Sequence, residues 1–224
     1  MTGREFPGNS TRKTETLAST RTRSLLAGGA ALLLLCLVGG VLYALGIPPF
    51  EEKKGEVKAS EVCRTLGSPA SSAAALKRIL PDKSSYSFDD DITDRRYGDT
   101  DFSYATSCFV DGGGKQLVAA TAEMLRYDKA DDWVKDVVEN HVPASSVKPF
   151  PAGDKAIASD RVAAIYLPCT ARGFGRHLSV VVQLKQRGSA SDDQLREGLI
   201  SLARNAALFA HDEAKCDAPS KVTS

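Results

Sequence analysis

The chain has 224 residues, a formal net charge of +1 and 42% hydrophobic residues, a balance that excludes a long disordered polyelectrolyte and allows one compact domain or two small ones. The charge is uneven: before Leu25 five basic residues (Arg4, Arg12, Lys13, Arg21, Arg23) face Glu5 and Glu15, which leaves 24 basic and 26 acidic residues for the rest. That remainder has no clustered basic run for nucleic acid and no polybasic patch for a lipid surface.

Residues 1–24 are rich in Ser, Thr and Arg without apolar periodicity, and read as a disordered tail. Residues 25–46 carry no charge over 22 positions. At 1.5 Å per residue they span roughly 33 Å, matching a hydrocarbon core of about 30 Å. Tyr43 suits the outer interface, and Arg21 and Arg23 flank the inner end. The positive-inside rule then puts the N-terminus in the cytoplasm and the remainder outside. A cleaved signal peptide is the rival reading, since Ala44, Leu45 and Gly46 form a small-x-small site, but its apolar core is normally only about 7–15 residues. Lipidation of Cys36 fits poorly, because Leu33, Leu34 and Leu35 stand directly before it and ten more membrane residues follow.

Residues 47–60, with Pro48 and Pro49, read as a stalk. Two short helices are expected at 61–67 and 69–80, the second capped by Ser68 with Pro69 at its first position. Strands are expected at 85–91, 102–110 and 115–125, the last two joined by a turn at Asp111, Gly112, Gly113 and Gly114. A polar loop at 91–101 separates the first two. An amphipathic helix at 128–141 carries Trp133 with Val137 and Val134 with Val138 at spacings of four. Residues 147–151 are extended. Two further strands, 161–169 and 177–186, flank a turn around Gly173 and Gly175. A last helix starts at the capping box Ser191, Asp192, Asp193, Gln194 and presents Leu195, Leu199, Leu202, Ala206 and Phe209 on one face. The sum is an α+β domain at 61–217, with about five mostly antiparallel strands and helices on the sheet. Residues 218–224 read as a disordered tail.

Outside the membrane segment lie Cys63, Cys108, Cys169 and Cys216, an even set that reads as two disulfides in an oxidising compartment. No two are close enough in sequence for a zinc knuckle. Among the three possible pairings, the path of the chain favours Cys169–Cys216. The last strand runs about 30 Å one way and the last helix about 30 Å back, which leaves Cys63 for Cys108. Cys63–Cys216 with Cys108–Cys169 remains the alternative, open if the first helix packs beside the last.

Chemistry is sparse. No nucleophile elbow occurs. His141, His177 and His211 sit near expected element ends and read as surface residues. Gly173, Phe174 and Gly175 lack the context of a dinucleotide site. The acidic run Asp89, Asp90, Asp91, Asp94, Asp99 and Asp101 lacks the glycine and terminal glutamate of a calcium loop and is broken by Arg95 and Arg96, so it reads as a solvated loop. Tyr86, Tyr97 and Tyr104 lie near it, as strand-face residues or as the lining of a groove. Catalytic, cofactor-binding and metal-binding residues are therefore assigned to none.

One arrangement carries a resemblance: a membrane segment and stalk, Val62 with Cys63, the run Ser107, Cys108, Phe109, Val110, then Gly153 to Ala156, Leu167 to Cys169, and a last helix ending at Cys216. It resembles uncharacterised membrane-anchored cell-envelope proteins of actinobacteria, related in layout to domain-of-unknown-function lipoproteins. The likeness covers residues 61–217 and implies an extracytoplasmic α+β domain with four paired cysteines, and no reaction. The missing lipobox departs from the lipoproteins and leaves the helix as anchor. The expectation is a single-pass, cell-membrane protein: a non-catalytic binding module partnered by the bilayer and by an envelope protein or ligand, with no nucleic acid. An envelope hydrolase using a carboxylate pair, or a membrane sensor that needs a partner, are the alternatives.

Overall fold

The computed structural model describes residues 36–41, 55–98, 101, 103–126, 129–171 and 175–223. The chain divides into two compact units, Met1–Glu52 and Lys53–Ser224. In the first, residues 36–41 are helical, with Leu37, Val38 and Val41 exposed. The rest of the expected membrane helix, and all of the basic tail, lie outside the described residues. Among the described residues no helix is long and apolar enough to cross a membrane.

The second unit is α+β. It opens with a 3-10 turn at Arg64–Leu66 and helix α1 (Pro69–Ile79), followed by strands β1 (Ser87–Asp94), β2 (Ala105–Gly112) and β3 (Lys115–Leu125). Helix α2 (Ala130–Trp133) passes into a π-helical turn at Val134–Val138. Strands β4 (Lys148–Pro149), β5 (Lys155–Ala158), β6 (Val162–Pro168) and β7 (His177–Leu184) precede the long helix α3 (Asp192–Glu213). All pairings are antiparallel, in the order β1-β2-β3-β7-β6-β5-β4. Two meanders, one of three strands and one of four, thus join edge to edge through β3 and β7.

Seven strands replace the expected five. The sequence understates β4 and β5 because both are short and β5 is buried along its length, so it lacks the alternation that marks a half-buried strand. The hairpin at β2 and β3 turns through Gly113 and Gly114, both at positive φ (60° and 70°), a conformation that excludes most side chains. The 61–67 helix shrinks to the single 3-10 turn.

Helices α1 and α3 cover one face of the sheet. Leu195, Leu199, Leu202 and Ala206 of α3 are buried against Ile165, Leu167, Val180 and Val182. The capping box forms as expected: the Ser191 hydroxyl accepts from the Gln194 amide at 3.4 Å, and Gln194 Oε1 accepts from the Ser191 amide at 3.1 Å. On the opposite face a second core gathers Trp133, Val138 and Val142 over Ile157, Val162, Ala164, Tyr166 and Val181. The spacing of four expected at 128–141 is corrected here. The π-helical turn adds about one residue per turn, so Trp133 and Val138, five apart, are the fully buried pair while Val134 and Val137 are half-buried.

Both ends of the unit are more firmly held than the sequence suggests. Val57, assigned to a stalk, is 3% exposed, and Gly55 donates its amide to the Lys83 carbonyl at 2.7 Å. Residues 218–223, read as disordered, pack on the domain. Ala218 is buried, Val222 touches the core, and Gly153 donates its amide to the Lys221 carbonyl at 3.0 Å.

Candidate functional site

The cysteines form two bridges. Cys63 joins Cys108 with Cα atoms 6.0 Å apart, and Cys169 joins Cys216 at 4.4 Å. The first ties the opening 3-10 turn to the middle of β2. The second ties the end of β6 to the residues just past α3, and Asp217 and Ala218 donate their amides to the Cys169 carbonyl. Cys36 carries a free thiol. The bridges hold elements together and expose no reactive group.

The strand expected to end at 91 runs on to Asp94, so Asp89, Asp90, Asp91 and Asp94 of the acidic run lie in β1, while Asp101 lies beyond it. β1 is at the edge of the sheet, and side chains alternate across it. Asp90 points to the helix side, where its carboxylate accepts from the amides of Arg64 at 2.9 Å and Thr65 at 3.2 Å and from the Thr65 hydroxyl. It caps the 3-10 turn. Farther on, Asp101 accepts from the Tyr97 and Ser103 amides and the Ser103 hydroxyl. Those hydrogen bonds, led by Ser103, hold its carboxyl below the ordinary aspartate value. Asp99 lies outside the described residues.

Arg96, read only as an interruption, is 4% exposed. Its guanidinium donates to the carbonyls of Asp101 (2.9 Å), Ala214 (3.0 Å) and Lys215 (2.9 Å), so it satisfies the open carbonyls at the end of α3. No local sequence signal announces this contact, which spans 118 residues. Arg95 pairs with Glu213 beside it. Around them Tyr97, Asp212 and Lys215 line a shallow cleft of about 450 Å³. A second cleft, about 330 Å³, lies between Val57, Lys77 and Tyr86. Tyr104 is buried, and burial pushes its phenol up to about 12, partly offset by the neighbouring Thr106.

Two histidines hold the C-terminal segment. His211 Nε2 bonds to the Ala218 carbonyl at 2.8 Å. His177 Nε2 lies 2.9 Å from Asp154 Oδ2, and the other Asp154 oxygen accepts from Lys221 Nζ at 2.6 Å. Partial burial pushes the Asp154 carboxyl up, but Lys221 and His177 together outweigh it and hold the group below its ordinary value. The His177 ring stacks on Tyr166 with centroids 4.2 Å apart, and Tyr166 stacks on Trp133 at 5.2 Å. Trp133 Nε1 donates to the Ser179 hydroxyl at 2.9 Å. An Asp–His pair supports general-base catalysis when the imidazole's second nitrogen faces a reactant. Here that nitrogen, Nδ1, is buried and has no hydrogen-bond partner among the described residues. The pair anchors the tail segment instead.

What the described residues leave open is half of one sheet face. The second core covers β5, β6 and β7 only. On the same face of β2, Ala105, Ser107, Phe109 and Asp111 are half-exposed, while the alternate residues are buried under the helices. On β3, Ala119 is half-exposed and Thr121 and Glu123 are exposed. On β1, Asp89 and Asp91 are exposed. Phe109 sits opposite Asp89 on one side and Ala119 on the other. The alternation in 105–111 is the sequence signal for this surface, and it was legible as a strand without saying which face stays bare. Among the described residues no group of three or more His, Cys, Asp or Glu side chains is placed to hold a metal ion. No family model, curated protein or solved structure matches the chain.

Proposed function

We propose that this chain is a non-catalytic binding module on the outer side of a cell membrane, anchored by one N-terminal helix and similar to the envelope proteins it resembles. The observation that carries the reading is the open half-face on β1, β2 and β3, a broad, shallow surface beside a fully packed one. The ionisable pairs that could otherwise suggest catalysis are spent on holding the fold: Asp154 with His177 and Lys221, Asp90 on the 3-10 turn, Arg96 on α3. Two disulfides fit an oxidising compartment. The uncharged run at 25–46 with Arg21 and Arg23 before it supports the anchor and its direction.

The test has two parts. Protease added to intact spheroplasts should digest epitopes placed after Ile47 and spare one fused to Met1; recovery of mature protein beginning near Ile47 would overturn the anchor. A photo-crosslinking side chain at Thr121, in whole cells, should give a discrete adduct. Failure of crosslinkers placed at several sites over the whole domain to give any adduct would overturn the binding role.

A further inference from the structure

We infer that the open half-face binds the arginine or lysine side chains of a partner polypeptide, seated over Phe109; this deepens the binding-module reading and rests on it.

Three features converge on one cationic ligand class. The first is charge. The ionised side chains that β1, β2 and β3 present on this face between their ends are Asp89, Asp91, Asp111 and Glu123. One base borders the face: Lys185 donates to Gln183, which pairs with Ala119 from the neighbouring β7. Single-sign carboxylates on a flat surface repel one another and are relieved by an arriving cation.

The second is an aromatic ring in their midst. Phe109 is half-exposed rather than sunk in either core. Its direct cross-strand neighbour is Asp89, and Asp91 and Asp111 stand one position away on the same face. Cross-strand neighbours of this kind lie roughly 4.5–5.5 Å apart, with diagonal ones near 7 Å. A guanidinium or ammonium over the ring therefore meets its negative quadrupole and two or three carboxylates together. Arginine gains most, because its planar fork stacks on the ring while its edge bonds a carboxylate bidentately.

The third is steric. The residues beside the ring are small: Ser107 and Ala105 along its own strand, Ala119 across from it, Thr121 beyond. No bulky neighbour on β2 or β3 shields the ring, whereas on the other half of the same face Trp133 and Tyr166 fill that space. The ligand class follows: an extended, basic protein segment that lies across the strands. A second copy of this chain does not fit, since two such faces would bring like charges together.

The experiment uses the full chain in nanodiscs of zwitterionic phosphatidylcholine, so that no anionic lipid competes. A fluorescent hexa-arginine peptide is titrated at low and at physiological salt, with hexa-glutamate as control. The basic peptide should bind with salt-weakened affinity and hexa-glutamate should not. The double variant Asp89→Asn/Asp91→Asn changes two exposed side chains and should bind about fivefold more weakly, and Phe109→Ser should weaken it comparably. Asp132→Asn/Asp136→Asn, on the covering segment, should bind as the unaltered chain does. Amide shifts in a titration followed by NMR should centre on Phe109 and Ala119, which reads the site even if Phe109→Ser folds poorly. Equal loss in both aspartate pairs, or no binding at low salt, would overturn the inference. Crosslinkers separate the two levels: adducts at Glu197 on α3 but not at Thr121 leave a binding module and refute this face, whereas adducts nowhere refute the module itself.

Discussion

Gly198 sits in the interior of α3, where glycine ordinarily costs about 1 kcal/mol relative to alanine. By propensity alone, Gly198→Ala should stabilise the domain by that amount. The packing predicts the reverse. A methyl at this position would lie 2.3 Å from Ile79 Cγ2 on α1, well over 1 Å short of an ordinary carbon–carbon contact. Ile79 is fully buried and β-branched in a helix, so its χ1 has one favoured setting and no free space to move into. Overpacking of this kind costs about 1–3 kcal/mol, and the depth of the overlap puts it near the upper end. The net effect is about 2 kcal/mol of destabilisation, or a fall in Tm of roughly 4–8 °C for a domain of this size. Ile79 Cβ would be 3.8 Å from the new methyl, so the conflict lies with Cγ2. In an Ile79→Ala background, itself about 2–5 kcal/mol less stable, Gly198→Ala should therefore regain about 1 kcal/mol. Urea unfolding of the four proteins closes the cycle. Stabilisation by Gly198→Ala in the otherwise unaltered chain would refute the close approach of α1 and α3.

Three further outcomes are expected. Replacing either disulfide by two alanines should cost about 4 kcal/mol on the chain-entropy model, since the bridges span 45 and 47 residues; a loss under about 1 kcal/mol by urea titration would contradict it, and peptide mapping without reductant should recover Cys63 with Cys108. Tyr104→Phe should remove one ionisation near pH 12 from an ultraviolet titration of the folded domain. Because the folded value of Tyr104 is raised to about 12, stability falls as pH climbs from the ordinary tyrosine range toward that value, and Tyr104→Phe should abolish that part of the decline. Asp154 behaves oppositely: its folded value is depressed, so its contribution is complete above the ordinary aspartate value and disappears as pH falls through the lower one. Asp154→Asn should flatten that stretch of the acid-unfolding curve and loosen the 218–223 segment in hydrogen exchange.

The sequence spoke clearly wherever a feature was local. The capping box at Ser191, the glycine turn at Gly113 and Gly114, and the α3 stripe from Leu195 to Ala206 are each set by residues within a few positions and readable from them, whereas Phe209, expected on that stripe, is half-exposed under Arg64. The cysteine pairing needed only the lengths of one strand and one helix. What stayed hidden was contact at long range. Arg96 is indistinguishable in sequence from a surface arginine, because its three carbonyl partners are supplied by a loop residue and by the end of a helix more than a hundred positions away. The sequence at 128–141 advertises a helix with a spacing of four. Its π-helical turn depends on how Trp133 and Val138 fit over Tyr166 and Val181, which no local pattern encodes. β5 escaped for a related reason: a strand buried on both faces has no alternation to read.

The acidic run shows why composition and position must be separated. Six aspartates between residues 89 and 101 look like a solvated loop, and for stability an edge strand is the least obvious place to put the four that β1 carries. An edge, however, is where an unpaired row of backbone groups invites another chain, and charge is a standard protection against that. Alternation then divides the labour. Asp90 faces the helices and is consumed as a cap for the Arg64–Leu66 turn, beside the bridge that Cys63 makes to Cys108. Asp89 and Asp91 face the opposite way, into solvent, one of them directly across from Phe109. The same three-residue run therefore fastens the N-terminal segment on one side and charges an exposed surface on the other. A one-residue slip of β1 would exchange these roles, turning Asp89 and Asp91 to the helix side and leaving the turn uncapped. The disulfide at Cys108, directly opposite Asp90, opposes such a slip by holding the turn where only Asp90 can reach it.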